Sequence, residues 1–327
     1  MEELVFEGTR EATHAGSWYD DDAERLRAQL DALLDEAEAA AGAAGAPVRP
    51  ARAVVSPHAG YRYCGRAMAH SYAALGAWLR TLPAGTAPTV VLLGPSHHTP
   101  LAGCALTPFA RWATPLGAAA VDPALCAALH AALPRGTASQ LARRTDAAEH
   151  SLEMELPFVL RAAARAGLTA PVRIAPMLVG HAPGTVLRAL GAALAGLDAR
   201  TCAVVASSDF CHWGRRFGYT ALPPARTPAE APWARIARLD RAGAALVAAA
   251  DLAGFEAYLA RTGNTICGRD AIRALIAMAQ ACASGDADAD AAADTAPGAV
   301  LHYDQSSHCT DVVAGSSVSY CAIALYV

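Results

Sequence analysis

The sequence predicts an α/β protein with one doubly wound, mainly parallel central sheet, and three apolar runs carry that prediction. They are Val54-Val55-Ser56-Pro57, Val90-Val91-Leu92-Leu93-Gly94 and Ala203-Val204-Val205-Ala206. Runs that are apolar on both faces suit strands covered on both sides, and helical stretches alternate with them along the chain. Each run also leads into chemistry: His58 after the first, His97-His98 after the second, Asp209 and His212 after the third. Open α/β sheets gather functional groups outside the carboxyl ends of their strands, so three such endings define a site hypothesis.

Taken in order, Asp20-Asp21-Asp22 marks a helix start, and Leu26, Leu30, Leu33 and Leu34 follow at helical spacing. The Ala/Gly/Pro stretch 37–50 reads as a linker into the first strand. A helix is expected over roughly 65–79, a strand over 89–93, and helices near 123–133 and 152–166. Residues 172–179 read as a strand, 186–197 as a helix, and 202–208 as the third strand of the set. Helices fill 232–260 and 270–283. The Ala/Asp-rich stretch 284–297 lacks apolar periodicity and reads as a mobile surface loop. Ser317 to Val327 alternates as a final strand. Without a repeat or a clear boundary, residues 1–327 read as a single domain.

Composition narrows the functions. Hydrophobic residues make up 54% and charged residues 17%, which describes a well-filled core. The net charge of −4 gives no general attraction to nucleic acid or to an anionic membrane. All 26 basic residues are Arg, which excludes lysine-dependent chemistry such as a Walker lysine or a Schiff base. Nine cysteines without a C-x-x-C pair argue against both a disulfide framework and a zinc finger. The acidic start Met1-Glu2-Glu3-Leu4 lacks the core of a signal peptide, and no stretch reads as a membrane span. The expectation is a cytoplasmic protein that neither binds nucleic acid nor inserts into a membrane.

Among the candidate residues, His58 follows a Pro and precedes Ala59-Gly60, so a tight turn fixes its direction. His97 and His98 are adjacent, and in an extended segment at most one can face the site. Asp209, three residues before His212, could orient that ring for proton transfer. Otherwise Asp209 caps the next turn and His212 stacks on Trp213. Cys267 precedes a predicted helix, where a thiol loses its proton more readily; a small buried apolar role is the plainer reading. Glu149-His150-Ser151 looks like a helix cap. His14, Trp18 and Tyr19 could line a pocket or pack an N-terminal arm.

Taken together, HAGSWY at 14–19, PHAGYRYCG at 57–65, GPSHHTPL at 94–101, EHSLEMELPF at 149–158, SSDFCHWGRRFGY at 207–219, NTICGR at 264–269 and SSVSY at 316–320 resemble the Memo family. That family is also known as AmmeMemoRadiSam system protein B, and the wording here is nearest its eukaryotic branch. The resemblance implies a fold related to class III extradiol (LigB-type) dioxygenases. It places metal ligands at His58, His97 and Cys267, with Asp209 and His212 as catalytic pocket groups and His212 as the general base. Trp18, Tyr61, His98 and Cys211 are expected around the pocket. A thiolate where the dioxygenases carry a carboxylate suits iron or copper, with zinc as a further choice, and argues against ring cleavage.

Three functions are expected on these grounds. The first is a mononuclear iron or copper protein that reduces oxygen or acts as an oxidase in redox signalling and cell motility. The second, implied by the resemblance, is a signalling adaptor that binds phosphotyrosine peptides or receptor tyrosine kinase signalling proteins, with Arg62, Arg215 or Arg216 as anion partners. The third is a metal-free thiol enzyme in which His212 activates Cys267.

Overall fold

The computed structural model describes residues 4–43, 45, 47–285 and 296–327. The chain opens with β1 (Thr9–Arg10) and α1 (Ala23–Ala43). Asp22 caps α1 as the acidic run predicted: its Oδ1 accepts from the backbone N–H groups of Glu24 and Arg25 at 3.0 and 2.9 Å. Leu26, Leu30, Leu34 and Ala37 form its buried stripe. The expected linker is shorter than 37–50, because the Ala-rich residues 37–43, good helix formers, continue the helix.

Then come β2 (Ala53–Ser56), α2 (Tyr61–Leu79), β3 (Thr89–Gly94) and four short strands: β4 (Cys104–Leu106), β5 (Arg111–Thr114), β6 (Gly117–Val121) and, after α3 (Pro123–Ala132), β7 (Ala138–Gln140). Next are α4 (Arg143–Ala148) and α5 (Leu156–Arg165). The expected helix over 152–166 thus starts four residues late, behind a single 3-10 turn at Glu153–Glu155. The chain continues through β8 (Arg173–Val179), α6 (Gly184–Ala195), β9 (Cys202–Ser207), β10 (His212–Trp213), α7 (Pro232–Ala248), α8 (Leu252–Thr262) and α9 (Arg269–Gly285). It closes with β11 (Gly298–Gln305) and β12 (Ser317–Leu325). Of the stretch expected as a mobile loop, residues 286–295 lie outside the described residues.

The sheet runs β1-β5-β6-β8-β3-β9-β2-β12-β10. Its centre, β6-β8-β3-β9-β2, is parallel throughout, while β12 joins β2 antiparallel and β11 joins β12 antiparallel. Every residue of β2 and β3 is buried, and so is all of β9 after Cys202. Successive side chains in a strand point to opposite faces, so both faces must be covered. Helices α1, α2 and α5 pack together, as do α3 with α6 and α6 with α9. No described helix is long and apolar enough to cross a membrane.

This order makes neighbours of the three strands singled out in the sequence. Strand β9 lies between β3 and β2, with Leu93 opposite Ala206 and Ser56 opposite Ser207. All three therefore deliver their next residues to the same edge of the sheet.

Candidate metal centre

At that edge a cavity of about 1210 Å³ opens, lined among others by Trp18, His58, His97, His150, Asp209 and His212. His58 is fully buried at the end of β2. Its Nδ1 lies 2.7 Å from Ser207 Oγ, and its Nε2 lies 3.3 Å from Cys267 Sγ. Its backbone N–H donates to Asp209 Oδ1 at 2.9 Å. Burial, with the imidazoles of His97, His150 and His212 nearby, lowers the His58 pKa well below the usual histidine range. The ring is neutral, as a metal ligand must be.

His97 lies across the cavity at the end of β3. Its Nδ1 faces Glu149 Oε1 at 2.9 Å, and its backbone N–H donates to Glu149 Oε2 at 2.6 Å. Burial alone would raise the Glu149 pKa, but hydrogen bonds from His97 and Ser151, with the His97 imidazole alongside, outweigh it and bring it down to about 2. The ionised carboxylate can only accept, so Nδ1 of His97 carries the proton and Nε2 is left as the ligand atom. His98, the adjacent residue, is exposed like His97 but is not among the cavity-lining residues; the two lie in a bend beyond β3 and not in an extended segment, so alternation does not decide between them.

His150, which the sequence suggests as part of a helix cap, stacks its ring on His97 at 4.4 Å and meets Trp18 at 4.4 Å in a tilted contact. Burial and the neighbouring His97 imidazole lower its pKa to about 4. Among the described residues, two triples bring ligand atoms within 4.8 Å of one another: His58, His97 and His150, and His98, Glu149 and His150. Cys267, expected from the resemblance, belongs to neither triple; its Sγ lies 3.3 Å from Nε2 of His58 and 3.6 Å from the backbone carbonyl of Asp209.

Four expectations about individual groups change. Asp209 does not orient His212: the Nδ1 of His212 lies 3.0 Å from Phe210 O and 3.1 Å from Thr265 O. Both carbonyls can only accept, so Nδ1 carries the hydrogen and Nε2 the lone pair. Nor does His212 stack on Trp213, which is buried; its edge partner is Phe217. The thiol of Cys267 is not activated. Burial and the Asp209 carboxyl push its pKa up and overcome the helix start beyond it, so the metal-free thiol stays protonated. Cys211, expected at the pocket, is fully buried with its N–H on Asp240 Oδ1 at 3.3 Å. Trp18 and Tyr61 do line the cavity.

Sequence reasoning missed one organising feature. Glu149, Glu153 and Glu155 are all buried and lie within seven residues, and each reaches a different histidine. Glu149 holds His97. Glu153 holds His14 at 2.9 Å and also accepts from Tyr19 and the buried Arg10. Burial would raise the Glu153 pKa, but His14 and Arg10 take it to about 2. Glu155 reaches His58 through Ser207. The signal in the sequence was a close run of acids inside apolar neighbours, Glu149-His150-Ser151-Leu152-Glu153-Met154-Glu155.

Fold and site together define an α/β protein whose central strands end in a partly buried His/Glu group able to hold a metal ion. The chain belongs to the Memo-like protein family, whose profile matches residues 10–324. It is 36% identical to Protein MEMO1 of Danio rerio over 319 residues, covering 97% of each chain. It is 35% identical to the Protein memo-1 homolog of Caenorhabditis elegans, over 98% of this chain and 83% of that one. With Protein MEMO1 of Homo sapiens the identity is 34%, over 97% of each. Among solved structures it is similar to an uncharacterized protein of Escherichia coli K12, with a TM-score of 0.45 and 15% identity, over 82% of this chain and 98% of that one, too loose for residue-by-residue correspondence.

Proposed function

We propose that the protein binds one redox-active transition metal, iron or copper, at His58, His97 and Cys267, with His150 beside them. The supporting observation is the Cys267 Sγ to His58 Nε2 separation of 3.3 Å. Sulfur and nitrogen donors on one tetrahedral ion, with bonds of about 2.3 and 2.0–2.1 Å, stand about 3.5 Å apart. The imidazole donors also fit: His58 and His97 have Nδ1 engaged by Ser207 and Glu149, so both offer Nε2. A mixed imidazole and thiolate set suits copper, iron or zinc better than magnesium or calcium.

When bound, iron or copper would supply one-electron chemistry toward oxygen, in an oxidase or oxygen-reducing reaction. The protein's own part is to position and to move protons. His212, anchored at Nδ1 by two carbonyls, can accept or return a proton at Nε2 on the cavity wall. Cobalt(II) tests the ligand set. Wild-type protein should show a thiolate charge-transfer band that Cys267→Ser abolishes and His150→Ala retains. A band lost on His150→Ala but kept in Cys267→Ser would replace the thiolate by the third imidazole.

A second reading, an adaptor for phosphotyrosine peptides in receptor tyrosine kinase signalling, is favoured by one observation. Arg62 and Arg216 both line the cavity, and among the described residues neither is held in an ion pair. Phosphopeptide binding that persists in Cys267→Ser after metal removal, and falls in Arg62→Ala, would support the adaptor over the enzyme.

A further inference from the structure

Glu155 is a fully buried carboxyl that the proposed chemistry leaves without a task. It sits under β9, where its Oε1 lies 2.8 Å from Ser207 Oγ and its Oε2 accepts from Tyr72 Oη at 2.8 Å. Ser207 Oγ in turn lies 2.7 Å from the backbone carbonyl of Ser151 and 2.7 Å from His58 Nδ1. One hydroxyl thus faces three partners, and a hydroxyl has one hydrogen and two lone pairs.

Counting hydrogens leaves one arrangement that puts a hydrogen in each of the three contacts of this hydroxyl. Ser151 O is an acceptor only, so the Ser207 hydrogen goes there. His58 Nδ1 and Glu155 Oε1 must then both donate to Ser207 Oγ. With Glu155 ionised, the single hydrogen of Ser207 would leave either the Ser151 O contact at 2.7 Å or the Glu155 Oε1 contact at 2.8 Å as two oxygens with no hydrogen between them.

We propose that Glu155 is a neutral carboxylic acid which, with Ser207, forms a positioning chain that fixes His58 as the Nδ1–H tautomer and aims its Nε2 lone pair at Cys267. The electrostatics agree. Burial raises the Glu155 pKa to about 8, and its hydrogen bonding with Ser207, Tyr72 and Ser56 offsets only part of that. The titratable groups facing it, Tyr61, Cys64 and Tyr72 from α2 and Asp209 beyond β9, are all acids. Neither Glu155 nor Ser207 would touch the metal, so both are positioning residues. Their relevance to metal binding rests on the proposed function above, while the tautomer itself does not.

The test therefore starts with metal-free protein. Infrared difference spectra of wild type against Glu155→Gln at pH 6.5 should show one protonated carboxyl band missing from the variant. Nitrogen-15 spectra of labelled histidine should show His58 protonated at Nδ1 in wild type and in Glu155→Gln. The Gln amide can donate to Ser207 and accept from Tyr72, so this variant keeps both the fold and the chain intact. In Ser207→Ala the acceptor is gone, and the tautomers should mix. In cobalt titrations, Ser207→Ala should weaken Kd by about 10–100-fold while Glu155→Gln stays at wild type. Absence of the carboxyl band, or an unchanged His58 tautomer in Ser207→Ala, would overturn the proposal. A correct tautomer in protein that takes up no cobalt would instead sink the metal reading and leave the chain standing.

Discussion

Gly268 follows Cys267, and the backbone there leaves no room for a side chain. A Cβ at this position would lie 2.3 Å from Ser207 O and 2.6 Å from Ser208 Cβ, where ordinary contact begins at 3.4 Å. Relieving the first contact takes about 1 Å of movement. Ser207 cannot supply it, because β9 is hydrogen-bonded between β3 and β2. The loop holding Cys267 must move instead, and its Gly268 N–H donates to Ser208 Oγ at 2.9 Å. Overpacking of this kind costs roughly 1–3 kcal/mol, and the strained hydrogen bond about 1 more. Gly268→Ala should therefore lower unfolding free energy by roughly 2–4 kcal/mol. It should also weaken metal binding at least about tenfold, since ligand sites tolerate only about 0.5 Å of misplacement. Urea unfolding and cobalt titration read the two effects separately. Gly42→Ala is the control: nothing lies within 4 Å of a Cβ at this exposed position of α1, so stability should rise by up to about 1 kcal/mol. Wild-type metal affinity in a destabilised Gly268→Ala protein would refute the assignment of Cys267 as a ligand. Wild-type stability would refute the packing argument itself.

The buried carboxyls have consequences of their own. Glu155 has a folded-state pKa of about 8, above its unfolded value, so its contribution to stability is fully present below about pH 4.5 and is lost as pH rises from there through 8. Stability relative to Glu155→Gln should fall across that window by up to about 5 kcal/mol, measured as urea unfolding at several pH values; parallel curves would contradict it. Glu149→Ala frees the His97 ring and should weaken cobalt binding by about 10–100-fold, whereas unchanged affinity would remove His97 from the ligand set. Glu153→Ala strips the buried Arg10 of one partner, leaving Asp146. Its unfolding free energy should drop by roughly 3–5 kcal/mol, and a loss under about 1 would show that Asp146 alone suffices.

The parts of the fold that were legible are the ones where burial is complete. Strands β2, β3 and β9 are covered on both faces, so their apolar runs are unbroken, and the histidines and aspartate just beyond each run pointed to a shared edge. The short strands β4 to β7 and the ribbon strand β11 were not legible. They have three to eight residues with weak alternation, and β6 reads only as Gly-Ala-Ala-Ala-Val. At the site, His58 and His97 stood out because strands delivered them. His150 did not, because an acid and a histidine ahead of a Ser suit a helix cap as well as a cavity wall. Asp209 shows the limit of spacing arguments: three residues from His212 in sequence, it serves the backbone of His58 in space. The thiol of Cys267 shows another limit, since a helix start predicts a lowered pKa only where burial does not oppose it.

The central claim is one redox-metal ion held by histidine and thiolate donors at the carboxyl edge of β2, β3 and β9. Elemental analysis of freshly purified protein, beside His58→Ala and Cys267→Ala prepared identically, tests it most directly. Wild-type protein should carry close to one equivalent of iron or copper per chain, with near-complete loss in both variants. Metal retained in both variants, with each still folded, would contradict it.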